Sequence, residues 1–136
     1  MTNREMKSKV MSLGNKLAAK GNDRSAAFVR AWQIVKAGTL EIAVRGVTFE
    51  NRQEALRRLA AYDPAQVRAV LVPEPSNPAD PEAVAVMVGV QNGKGLYCLG
   101  YVPRNQTREV AAMRNQLPVL RILDGDIKGA RLALAV

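Results

Sequence analysis

Residues 66–72 (QVRAVLV), 73–81 (PEPSNPADP) and 83–90 (AVAVMVGV) decide the architecture of this chain. The outer two segments are apolar and rich in β-branched residues, as strands buried on at least one side are. The segment between them holds Pro73, Pro75, Pro78 and Pro81. Each proline lacks a backbone N–H and restricts the residue before it, so this stretch reads as a stiff, ordered loop between two strands. Downstream, Asn92-Gly93 is a hairpin signal leading into a strand over 95–102 (GLYCLGYV), which Pro103 stops. The chain closes with VLRILDGDIKGARLALAV, a second hairpin turning at Asp124-Gly125.

Upstream, 40–47 (LEIAVRGV) alternates apolar and polar residues as a strand does. Segment 51–61 (NRQEALRRLAA) reads as a helix capped by Asn51, with Leu56, Leu59 and Ala60 as its apolar face. A further helix is expected over 104–115, with Val110, Ala111 and Met113 apolar. Short strands with one or two inserted helices predict a mostly-β, α+β chain built on a small closed or nearly closed β-barrel.

The amino-terminal third is different. Met6, Val10, Leu13 and Leu17 form one helical stripe, with Lys7, Lys9, Lys16 and Lys20 largely off it. Gly21 suits the end of that helix. Asn22, Asp23 or Ser25 can cap a second one, whose apolar face is Phe28, Ala31, Trp32 and Val35 and which Gly38 ends. Phe28 and Trp32 are expected to glue this hairpin to the rest of the fold. Residues 1–38 carry eight Lys/Arg against Glu5 and Asp23, so most of the formal charge of +8 lies there. The division is therefore a basic helical hairpin over 1–38 and a β-domain over 39–136.

Composition excludes several chemistries. The 136 residues include no His, which removes Ser-His-Asp and Cys-His nucleophile pairs and His-containing zinc sites. Cys98 is the single cysteine, so no intramolecular disulfide forms, and a reducing cytoplasm is the expected location. Cys98 itself reads as a buried small hydrophobe. The amino terminus lacks the apolar core of an export signal, and no run approaches a membrane span. The positive charge points to polyanionic partners, nucleic acid foremost.

Two separated blocks, 70–86 (VLVPEPSNPADPEAVAV) and 99–104 (LGYVPR), resemble the paired signature of the HIRAN domain family. The matching residues are Leu71, Glu74, Pro75, Asn77, Pro78, Asp80, Ala83 and Val86, then Gly100, Tyr101, Pro103 and Arg104, and the resemblance covers about residues 40–136. It implies an OB-type barrel with helical insertions that binds nucleic acid. Such domains occur beside replication-fork remodelling helicases, beside nuclease-like modules and alone. The best understood resembles a pocket for the 3′-hydroxyl end of single-stranded DNA.

Carried over residue by residue, the family's basic-aromatic pair after the first strand falls on Thr48 and Phe49. Phe49 can stack a base, whereas Thr48 supplies no charge. Asn77 and Asp80 match the loop, with Asp80 expected to accept a hydrogen bond from the terminal sugar hydroxyl. The aromatic usually found before that Asp is Ala79 here, so one stacking platform is missing. Tyr101 falls where a polar ring meets the terminal phosphate or base, and Arg104 where a cation meets the backbone.

The residues themselves agree with that allocation. A carboxylate repels phosphate, so Asp80 makes sense where a strand ends in a hydroxyl donor, and Arg45, Arg104 and Arg108 offer compensating charge. Tyr97 and Tyr101 are four apart on one strand and are expected on one face, with Tyr97 favoured for the interior and Tyr101 for the site. Asn77 and Asp80 are equally suited to fastening the proline-rich loop through Asx-turns. Glu74, Asp80 and Glu82 admit a metal-binding reading that no second carboxylate cluster supports, and no catalytic residue, metal or cofactor is assigned.

Three functions remain in view. The first is a non-enzymatic module binding single-stranded DNA, with the basic hairpin as a phosphate clamp. The second is a recruitment adaptor in DNA repair, replication or phage–host defence, docking a protein through Phe28 and Trp32. The third is a metal-dependent hydrolase, the least supported.

Overall fold

The computed structural model describes residues 2–21, 23–93, 95–113 and 116–136; Asn22 and residues 114–115, which figure in the expected cap and helix above, lie outside them. Two compact units form: one from the chain up to Leu40 with Arg108–Gln116 and Leu134–Val136, the other from Glu41–Thr107 and Leu117–Ala133.

In the first unit, α1 (Asn3–Ala19) opens on a capping box. The Thr2 hydroxyl accepts from the Glu5 backbone N–H, and the Glu5 carboxylate accepts from that of Thr2. Its buried residues are Val10, Leu13, Gly14 and Leu17, so three of the expected stripe are buried while Met6 is half-buried. Helix α2 (Arg24–Ala37) is capped by Asp23, which accepts from the Ala26 N–H, and ends at Gly38 with φ 84°. Its buried face is Ala27, Ala31, Ile34 and Val35. Ala31 and Val35 of the expected face are buried, but Phe28 is only half-buried and Trp32 is 42% exposed, which corrects the expected place of the indole. The Phe28 ring packs onto Gly14 of α1, where a β-carbon would collide with it, whereas Trp32 is left exposed. Arg30 pairs with Glu109 in the same unit.

The second unit holds most of the β-structure. Strands β2 (Val67–Pro73), β3 (Val84–Val90) and β4 (Tyr97–Tyr101) form an antiparallel sheet in the order β2-β3-β4. Every residue of β3 is at least half-buried, whereas β2 buries only the face of Val67, Ala69 and Leu71. Asn92 takes φ 68° and the Gly93 N–H reaches the Val90 carbonyl, which makes the expected turn between β3 and β4. The second sheet joins β1 (Thr39–Ala43), β5 (Pro118–Leu123) and β6 (Gly129–Ala135) in the order β1-β6-β5. The architecture is thus α+β with two three-stranded sheets, and the described ladders do not join into one closed barrel. The sheets meet at a bridge between Arg45 and Tyr101, whose backbones exchange hydrogen bonds of 2.8 and 2.9 Å. Gly100 makes the meeting possible, since a β-carbon there would collide with the Arg45 carbonyl.

Helix α3 (Glu50–Ala60) has its N-cap two residues earlier than expected, at Phe49 rather than Asn51, with no side-chain cap bond. Ala60 is exposed, and the buried face runs through Gln53, Leu56 and Leu59. Gln53 earns that place by full satisfaction. Its amide nitrogen donates to the carbonyls of Val47 and Lys128, both at 2.7 Å, and its oxygen accepts from the Lys128 N–H. After Pro103 comes a 3₁₀ turn (Arg104–Gln106) and then α4 (Thr107–Ala112), shorter than the single helix expected.

Candidate nucleic-acid interface

The proline-rich loop is braced by its own side chains, which take over the backbone pairing that proline removes. The Asn77 Oδ1 accepts from the N–H groups of Ala79 (2.9 Å) and Asp80 (3.2 Å), and the Asp80 Oδ1 accepts from that of Glu82 (2.9 Å). Backbone bonds from Glu74 N–H to the Ala83 carbonyl and from Ala83 N–H to the Asp80 carbonyl close its base. Asn77 and Asp80 therefore do fasten the loop. The second oxygen of Asp80 is left facing Arg104, Nε to Oδ2 3.4 Å.

From this loop a polar chain runs toward β4. The Asn77 Nδ2 donates to Glu74 Oε1 at 3.1 Å, and the Glu74 carboxylate neighbours the Tyr101 phenol. Hydrogen bonding toward Glu74, with burial second, holds the Tyr101 phenol above its ordinary pKa, since ionisation places a second negative charge against that carboxylate. Beyond Tyr101 lies the first turn of α3. The Arg52 guanidinium carbon sits 6.0 Å from the centre of the Tyr101 ring and 5.0 Å from that of Phe49. Phe49 is 65% exposed.

Of the residues singled out in the sequence, Phe49, Asn77, Asp80, Tyr101 and Arg104 are thus brought into one connected cluster. Arg45 joins it through its backbone pairing with Tyr101, its side chain exposed. Thr48 is exposed next to Phe49. Arg108 does not join: it belongs to the first unit, where its guanidinium lies beside Gly21. Arg52 was not anticipated. The available signal is its spacing, three residues beyond an aromatic at a helix start, which sets both side chains on one face.

Three further expectations are corrected. Tyr97 and Tyr101 do not share a face. Val88 pairs with Tyr97 and Met87 with Cys98, but Val86 pairs with Gly100 and Ala85 with Tyr101, so Leu99 is an extra residue and the alternation reverses across it. Tyr97 is not interior either: it is 42% exposed and lines a separate cavity of about 640 Å³ with Leu59, Tyr62, Val88 and Leu96. Cys98 is only half-buried, its Sγ 3.6 Å from the Gly100 carbonyl. Among the described residues, no three acidic or cysteine side chains group as a metal site would require, Glu74, Asp80 and Glu82 included. No helix among them is long and apolar enough to cross a membrane.

Asp80 is offset by Arg104, and Arg52 adds a second guanidinium beside Tyr101, so the surface can accept an anion despite its carboxylates. An exposed ring, a fixed acceptor and two guanidiniums are the parts needed to stack a base, bind a hydroxyl and hold phosphate. No curated protein and no solved structure matches the chain. The family model of the HIRAN domain matches residues 38–122, more than half of its length and inclusive of every member of the cluster. The chain belongs to the HIRAN domain family, and its HIRAN domain is a nucleic-acid-binding module.

Proposed function

We propose that this chain is a non-catalytic module that binds single-stranded DNA in the cytoplasm and receives a free 3′-hydroxyl end at the Phe49–Asp80–Tyr101 cluster. The observation that carries the reading is the connected chain Glu74–Asn77–Asp80–Arg104 beside Tyr101, in which one carboxylate oxygen of Asp80 is not consumed by the loop. A terminal hydroxyl donates to such an oxygen, whereas a continuing phosphodiester is repelled by it. The exposed Phe49 ring supports a stacked base, and the lysines of α1 support a sequence-independent hold on phosphates. The strand order supports an OB-type barrel: β4 meets Arg45 at one seam and β5 lies beside β2 at the other.

The test is fluorescence anisotropy with one labelled oligonucleotide bearing a 3′-hydroxyl, bearing a 3′-phosphate, or circularised. End recognition predicts a preference of about tenfold or more for the hydroxyl, near 1.4 kcal/mol. Equal binding of all three leaves a general groove binder, and no binding at low salt removes the DNA reading.

One observation favours a second reading. The 42% exposure of Trp32, in a helix already buried on its alanine face, leaves an indole available to a protein partner, as a recruitment adaptor in DNA repair, replication or phage–host defence requires.

A further inference from the structure

The cations around the cluster are not equivalent. Arg104 is paired with Asp80 and its side chain is 78% exposed. Arg52 is half-buried on the first turn of α3, and none of the ion pairs found among the described side chains involves it. Its position is nevertheless fixed. The guanidinium is flanked by the rings of Phe49 and Tyr101, and its Nη1 donates to the Gly46 carbonyl at 2.8 Å. Gly46 holds φ 83°, and a β-carbon on it would lie 2.6 Å from that Nη1, so the turn before α3 is shaped around this side chain.

Resting on the DNA reading above, we infer that Arg52 is the phosphate anchor of the interface: its guanidinium grips a backbone phosphate while the exposed Phe49 ring carries the adjoining base. Aromatic faces and a carbonyl hold a guanidinium in place without cancelling its charge, unlike a carboxylate. Of its five N–H donors in one plane, one is spent on Gly46 and no other on a described residue, so a planar fork remains for phosphate oxygens. The positive charge that Thr48 does not supply beside Phe49 is therefore delivered from one helical turn further on.

The test is anisotropy titration of the full chain and three variants, R52Q, R52K and R58Q, with a 3′-hydroxyl oligonucleotide across a range of salt, with folding checked by thermal melting. R52Q is expected to lose about tenfold in affinity at low salt, as loss of a charge-assisted hydrogen bond does. Its log–log salt dependence should become shallower by about 0.7, one phosphate on a single strand. R52K should keep the wild-type slope and lose only part of the affinity, since it keeps the charge without the planar fork. R58Q removes the same charge from an exposed pair with Glu54 on the same helix and should change affinity less than about threefold. Wild-type binding by R52Q, or an R58Q loss as large as that of R52Q, overturns the assignment of Arg52 while leaving DNA binding intact. If the wild-type chain binds no oligonucleotide, both readings fall together. Should R52Q fail to fold, the R52K pattern decides: an unchanged affinity overturns the anchor, and a partial loss at constant slope supports it.

Discussion

The Asp80 carboxylate divides its two oxygens between partners of different kinds: Oδ1 accepts from the Glu82 backbone N–H at 2.9 Å, and Oδ2 faces Arg104 Nε at 3.4 Å. The first bond builds the loop. The second is an ion pair with a side chain that is mostly in water, worth less than about 1 kcal/mol to stability, so Oδ2 can exchange Arg104 for a ligand donor at little cost.

Asp80→Asn keeps an acceptor for Glu82 and removes the charge. Melting temperature should change by only a few degrees, while the preference for a 3′-hydroxyl over a 3′-phosphate falls from about tenfold toward none. Undiminished preference in the variant, measured by anisotropy on the two oligonucleotides, rules Asp80 out as the reader of the hydroxyl.

Gly46→Ala places a side chain in left-handed backbone and against Arg52. Destabilisation of about 1–2 kcal/mol is expected from the backbone alone. The sharper expectation is a fall in DNA affinity matching that of R52Q, checked by comparing the two variants at one salt concentration.

Tyr101 should ionise late. Because its folded pKa is raised, the neutral phenol stabilises the fold; that contribution is complete below the ordinary value near 10.0 and is lost as pH climbs through the raised one. A tyrosinate absorbance titration should contain a component displaced to high pH that disappears in Tyr101→Phe. In Glu74→Gln the same component should move down, since its largest cause is the Glu74 hydrogen bond. A wild-type curve without that component excludes the bond.

Trp32 and Ile34 sit two residues apart in α2 and should behave oppositely. Ile34→Ala leaves a cavity at a position 2% exposed and should cost about 2–5 kcal/mol. Trp32→Ala should cost less than about 1 kcal/mol, and acrylamide should quench the wild-type indole readily. A shielded indole and a large loss on truncation restore the packing role and remove the docking surface.

Much of the second unit was legible because its signals are local. Four prolines in nine residues, Asn92-Gly93 and Asp124-Gly125 each name a turn through backbone chemistry that tertiary context does not override. The end of α2 was legible for the same reason at Gly38. Phe28 does meet α1 at Gly14, but Trp32 misled because size is a poor guide to which side of a helix is buried: Ala27, Ala31, Ile34 and Val35 fill that face. Arg52 stayed hidden because its neighbour Tyr101 is distant in the chain and comes close only through the Arg45 bridge. The cluster's loop half was visible in the order of Glu74, Asn77 and Asp80; its helix half depends on tertiary contact.

The extra residue at Leu99 has a consequence for how β4 can change over time. A strand with strict two-residue rhythm presents residues four apart to the same neighbours, so a duplicated tyrosine there is redundant. With one residue out of step, Tyr97 and Tyr101 answer to different surroundings, one at a cavity mouth and one at a polar cluster. Each is then open to selection separately. A deletion of Leu99 alone, altering neither tyrosine, exchanges the surface on which one of them acts.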